Sequence, residues 1–177
     1  MSTVEIFVDE SRRRDYMLCA AVVASGDIAA SRKAMRSLKP NNRNRLHMKD
    51  EARNRDQLVR EFVRLQPIAE AHIFVGSVAG ATERKVRTRC LEELAEFAVD
   101  AGATRILIES CSQDKQDRAA VTGVLARRGA LDRVRADVDR PTAHELLWAA
   151  DLVAWAYGAG GTYKTLVDHL VTVHNIP

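Results

Sequence analysis

Three acids of this chain stand where a carboxylate is costly. Asp9 closes the apolar run VEIFVD, Glu109 closes TRILIE, and Asp151 lies inside the apolar stretch LLWAADLVAWAYG. Taking a carboxylate out of water costs on the order of a few kcal/mol unless a cation or hydrogen bonds compensate. Each acid alone has an ordinary explanation. Asp9 could belong to a solvated Asp-Glu-Ser turn paired with Arg12, Arg13 and Arg14, Glu109 could bond the turn ESCSQD, and Asp151 could pair with a buried arginine. Held together, the three would repel one another, and a hard divalent cation with oxygen ligands is the usual compensation. Magnesium or manganese ions, about 3.5–4 Å apart when paired, activate water and stabilise the leaving oxygen in phosphodiester hydrolysis.

Asp151 is the most informative of the three. Helical spacing puts His144, Trp148, Asp151 and Trp155 on one face at i, i+4, i+7 and i+11, so the aspartate shares its face with a histidine and two indoles. Glu10, next to Asp9, points to the opposite side of an ideal strand. It is either a second ligand after a bend or the structural partner of an arginine. Other acids have plainer roles: Asp114 and Asp117 suit a helix N-terminus, and Asp50, Glu51, Glu92 and Glu93 are surface acids any of which could be a fourth ligand. His47, His72, His169 and His174 lack the spacing of a metal-binding histidine cluster.

The elements that must position these residues follow from periodicity. Val4, Ile6 and Val8 alternate with Glu5, Phe7 and Asp9 as in a strand with at least one buried face, and YMLCAAVVA (16–24) forms a hairpin with it. A helix is expected over 28–38, a polar loop over 40–45, and a second helix over 51–66, stopped by Pro67. AEAHIFVGSVA (69–79) reads as a strand. A helix follows from Thr82, with the stripe Val86, Cys90, Leu94, Phe97 and Ala101, and is capped by Gly102. TRILIES (104–110) is a strand, 113–127 a helix, and LDRVRADVD (131–139) an edge strand. Thr142 and Glu145 suggest a capping box for the helix HELLWAADLVAWAYG, ended by GAGG (158–161), and a short helix is expected over 162–173. The order describes one mixed α/β domain spanning 1–177, its sheet started by an antiparallel hairpin and flanked by helices.

Composition narrows the classes. At 177 residues, with 46% hydrophobic and 29% charged residues interleaved, the chain has the profile of a globular protein rather than a disordered one. It contains no apolar run long enough for a bilayer and no signal-peptide pattern at its start, so a cytoplasmic protein without membrane association is expected. Three widely spaced cysteines indicate neither a disulfide framework nor a zinc cluster. The net charge of +3 is a mild basic excess concentrated at 12–14, 32–49 and 126–135, compatible with a polyanionic partner.

FVDES followed by an apolar strand, then LHMKDE, RILIES and LLWAADLVAWAYG, resembles in order and spacing the bacterial domain-of-unknown-function family 3800. That resemblance implies a ribonuclease H-like fold, a carboxylate site for a divalent metal and a phosphodiester substrate. It makes Asp9, Glu109 and Asp151 the metal ligands, with Glu10 beside them in the catalytic set, and it matches His47 to a histidine of the middle segment. Arg12 replaces a glycine of the family pattern and Trp148 a glutamine. The expected function is a nuclease dependent on magnesium or manganese that acts on DNA or RNA, with Arg12, Arg13 and Arg14 holding phosphate. The alternatives are a non-catalytic nucleic-acid-binding or protein-interaction module on the same fold, and a hydrolase of a small phosphorylated molecule. An open groove would favour the polymer and a closed pocket the small molecule.

Overall fold

The computed structural model describes residues 2–177. β1 (Val4–Arg12) and β2 (Tyr16–Ala24) form the antiparallel hairpin, with Asp9 opposite Cys19 and Arg12 opposite Tyr16. β3 (Glu70–Gly76) continues antiparallel beside β2, while β4 (Ala103–Glu109) runs parallel to β1 and β5 (Arg135–Asp139) parallel to β4. With β6 (Val171–Ile176) parallel to β3, the six-stranded mixed sheet has the order β5-β4-β1-β2-β3-β6. β1 therefore lies inside the sheet, and both of its faces are buried.

Helices cover both faces. α1 (Ile28–Leu38), α2 (Arg55–Leu65), α5 (Glu145–Ala159) and α6 (Gly161–Val167) pack with Phe7, Cys19 and Leu107 on one side. α3 (Glu83–Asp100) and α4 (Asp114–Arg127) pack with Ile6, Val8, Leu18 and Ile108 on the other. Full burial of such side chains contributes about 1.5–3 kcal/mol each. The Thr82 side chain caps α3 by accepting the Lys85 N–H, and Gly102 takes a positive φ just beyond the helix end. Among the described residues, no helix is long and apolar enough to cross a membrane.

Four expectations are corrected. The segment 162–173 is not one helix: α6 stops at Val167, a short 3-10 turn follows, and β6 begins at Val171. VTVHNI alternates like a strand, and its His174 stacks on Phe74 and lies 2.8 Å from His72, which ties it to β3. The helix expected from 51 starts only at Arg55, because 48–54 is wound into a 3-10 turn and reverse turns that bury Glu51. The strand expected over 69–79 ends at Gly76. Thr142 and Glu145 make no capping box: His144 is the N-cap, its Nδ1 accepting the Leu146 N–H. Glu145 instead pairs with Arg32 at 2.6 Å and Arg36 at 3.0 Å, two cations that outcompete a single backbone N–H for its carboxylate.

Candidate metal centre

Strand parity places the first two acids. Asp9 follows Phe7 by two residues and Glu109 follows Leu107 by two, so both side chains project on the α5 side of the sheet. Val8 stands beside Ile108 in the parallel β1–β4 ladder, so Asp9 and Glu109 leave neighbouring strands at the same level. α5 crosses that face with apolar residues buried nearly all round it, and this packing holds Asp151 over the strand ends. Asp151 Oδ2 accepts the Met48 N–H at 2.9 Å, and Asp9 Oδ1 accepts the Glu10 N–H at 2.7 Å.

The Asp9 carboxyl stands near those of Glu109 and Asp151, close enough for their charges to act on it. Burial, then the charges of Glu109 and Asp151, hold it well above the usual carboxylate range. Asp151 is also raised, chiefly by burial, against the lowering effects of the Met48 N–H and of His47. Beneath them the Cys19 thiol is pushed up by burial and by the same two aspartates. Asp9 is only 7% exposed, whereas the Glu109 and Asp151 side chains keep 24% and 16%, so the group opens to solvent on one side.

Among the described residues, no cationic nitrogen lies within 4.0 Å of the Asp9 carboxyl. Two basic side chains stand at the rim: Arg45 Nη1 is 3.8 Å from Glu109, and His47 Nε2 is 3.8 Å from Asp151. Three converging oxygen donors, one buried and uncompensated, suit a hard divalent cation. Their spread is wider than that of Cys111, Asp114 and Asp117, the one group among the described residues with three donor atoms all within 4.8 Å of one another. That tighter group is already committed. Arg87 grips Asp117 through Nε and Nη2 at 2.9 and 2.7 Å, and Asp114 accepts the Ser110 hydroxyl and the Cys111 N–H.

Glu10 is not brought into the cluster. It projects on the α3–α4 side, where its carboxylate pairs with buried Arg87 and accepts the Tyr16 hydroxyl at 2.7 Å. Arg12 accompanies it there, paired with Glu10 at 2.9 Å and Glu83 at 3.0 Å. Arg13 and Arg14 alone of the arginine run reach the α5 side, where both line a cleft beside Tyr157 and Gly158. The helix face shared by His144, Trp148, Asp151 and Trp155 divides among different partners. His144 stacks on Phe7, the Trp148 indole N–H donates to the Pro141 carbonyl, and Trp155 packs on Tyr163 and under Arg55.

Sequence reasoning missed Arg45, the Met48 N–H and the Arg87–Asp117 clamp. The first two lie in the basic segment 32–49, whose charge was the available signal. A pairing between α3 and α4 leaves none.

Comparison with known protein families and with curated proteins gives no match. Among solved structures, the chain is similar to one in the PCNA–ribonuclease HII complex from Archaeoglobus fulgidus. The identity is 15% and the TM-score 0.54, over 96% of this chain and 74% of that one. Ribonuclease H2 of Pyrococcus horikoshii matches with 16% identity over the same shares and a TM-score of 0.46. The fold is ribonuclease H-like: an α/β arrangement with a mixed six-stranded sheet and helices on both faces.

Proposed function

We propose that the protein is a metal-dependent phosphodiester hydrolase, a nuclease acting on DNA or RNA, and a member of the bacterial domain-of-unknown-function family 3800. The observation that carries this reading is Asp9: a buried carboxyl facing Glu109 and Asp151, with no cationic side chain in contact. Asp9, Glu109 and Asp151 would hold the ion. Bound magnesium or manganese would supply an activated water and offset the negative charge that develops on the phosphate. The fold is compatible with this substrate class, the similar structure being a ribonuclease by name.

The chain's own groups divide the remaining work. The Glu10 and Met48 N–H groups fix one oxygen each on Asp9 and Asp151, leaving the other oxygens free. His47 faces Asp151 with Nε2 and Asp50 with Nδ1, the latter at 3.2 Å. Asp50 thus orients the ring so that Nε2 exchanges a proton at the rim of the site, a role typically worth about 10²–10⁴ in rate. Arg45, beside Glu109, meets the substrate phosphate.

The test incubates wild type and Asp151→Asn with labelled single- and double-stranded DNA and RNA, in manganese and in chelator. Wild type should cut at least one of them with manganese only, and the variant should fold normally and cut slower by orders of magnitude. If wild type cuts none, or the variant cuts equally well, the proposal fails and a non-catalytic binding module takes its place.

A further inference from the structure

On the same side of the sheet as the carboxylate group lies a cleft of about 680 Å³ between the hairpin tip and the C-terminal end of α5. Its position relative to the acids follows from the elements that carry both. Met17 lies opposite Ser11, one same-face step beyond the Asp9–Cys19 pair, or about 7 Å along the strands. Gly158 follows Asp151 by seven residues, two helical turns and about 10 Å along one side of α5. The elements therefore carry the cleft about 7–10 Å from the carboxylates, the reach of a neighbouring nucleotide of an unpaired strand.

The walls are basic and aromatic, and the floor is apolar. Arg13 and Arg14 form no ion pair among the described residues, in contrast to Arg12, and Asp15 is the only acid lining the cleft. The Arg13 guanidinium lies along the α5 backbone at Gly158, where a Cβ would sit 3.0 Å from its Nε. The glycine leaves the space in which that arginine sits. Tyr157 is partly exposed, and the Lys164 ammonium stands over its ring, 4.8 Å from the centroid. Met17, Val75 and Val173 supply the floor. Cations with an aromatic face and an apolar base are the composition of a surface that takes phosphates and stacks unpaired bases.

We infer that this cleft binds a single-stranded segment of nucleic acid next to the scissile position, with phosphates on Arg13 and Arg14 and a base stacked on Tyr157. This assignment rests on the nuclease reading and adds to it the strand form of the substrate and its path. A fully paired duplex keeps its bases stacked inside and offers the ring nothing. The site therefore selects substrates with an unpaired stretch, such as single strands, overhangs and flaps.

The test measures binding by fluorescence anisotropy in chelator, where no metal-dependent cleavage occurs, with fluorescein-labelled oligo-dT, oligo-rU and a blunt duplex of equal length. Single strands should bind more tightly than the duplex. Tyr157→Ala should weaken them by about tenfold, as loss of one stacked base does, and Tyr157→Phe should restore them. Arg13→Ala with Arg14→Ala should reduce the single-strand salt slope by about 1.4, at roughly 0.7 for each phosphate contact. Gly158→Val, which crowds Arg13, should lower affinity without removing a charge. A 5-iodouracil oligonucleotide should crosslink to Tyr157. Unchanged single-strand binding in the tyrosine and arginine variants, while wild type still cuts and Asp151→Asn does not, overturns the cleft and leaves the nuclease reading intact. A wild type that neither binds nor cuts any strand overturns both.

Discussion

Asp9→Asn separates an electrostatic site from a structural one, because its effect on stability should change sign with the metal. Asp9 faces two further carboxyls and no cationic side chain. At an effective dielectric near 20, two ionised carboxylates about 4 Å apart would repel by about 4 kcal/mol, and more distant ones by less. Protonation and solvent at the open side relieve part of this, so removal of the Asp9 charge should stabilise metal-free protein by about 2 kcal/mol, and a chain of this size gains roughly 2–4 °C in Tm for each kcal/mol. Magnesium or manganese at 100 times its dissociation constant should stabilise wild type by about 2.7 kcal/mol and the variant far less. The expected result is a crossing: Asp9→Asn melts above wild type in chelator and below it in manganese, with ionic strength held constant by sodium chloride.

The pH dependence gives the same reasoning a second readout. Asp9 and Asp151 are raised in the folded state, so above the ordinary aspartate range the folded protein binds more protons than the unfolded chain. Their contribution to stability therefore falls as pH rises through that window, opposite to the usual aspartate behaviour. Asp9→Asn should flatten this fall in chelator. An Asp9→Asn protein that is less stable than wild type in chelator, together with a wild type indifferent to divalent ions, would refute the picture of an uncompensated carboxylate group.

Three further outcomes are expected. Arg87→Leu leaves Asp117 buried and Glu10 without its buried cation, so denaturant unfolding should show a loss of about 3–5 kcal/mol; a loss below about 1 kcal/mol would mean that the network is not structural. A Cβ on Gly76 meets the Val86 side chain, so Gly76→Ala should cost about 1–3 kcal/mol, with Val86→Ala in the same chain relieving the clash; strict additivity of the two would contradict the contact. His144 is held neutral by burial, its pKa lowered to about 4, so the unfolded chain takes up the proton first and stability should rise between about pH 4 and 6.5 by about 3 kcal/mol. His144→Asn, which retains a capping side chain, should remove that rise, and an unchanged profile would assign the slope to other groups.

Much of the scaffold was legible because it obeys periods of two and 3.6. The β1–β2 hairpin, β4, α3 and α4 lie close to the spans their patterns suggest, while the common face of Asp9 and Glu109 comes from the β1–β4 register, which no period reveals. What escaped depends on partners distant in sequence. β6 overlaps the span expected as a helix although VTVHNI alternates, and its place in the sheet is set by stacking on Phe74 and contact with His72. Glu145 matched a local capping pattern, but Arg32 and Arg36, more than a hundred residues earlier, hold its carboxylate. The 40–54 segment carries the Met48 N–H, Arg45 and His47 to the acids without any periodic signal, since turns made by irregular backbone have none.

The two sides of one strand end make the case for the site better than either does alone. Glu10 and Asp9 are adjacent, and the strand sends them to opposite faces. On Glu10's side the fold supplies Arg87, buried at 3% exposure and shared with Asp117, and adds the Tyr16 hydroxyl and Arg12. The charges there are matched in place, as buried carboxylates require. On Asp9's side the acid is nearly as buried as that arginine, yet it meets two more acids, and the arginine and histidine of the nearby loop stop at the rim. A chain of 177 residues with 27 lysines and arginines has cations to spare. One of them at Asp9 would relieve the repulsion and would also occupy the position a divalent ion would take. Leaving the inner face uncompensated while the outer face is matched is costly for folding alone, and it is the arrangement a cation from solution would complete.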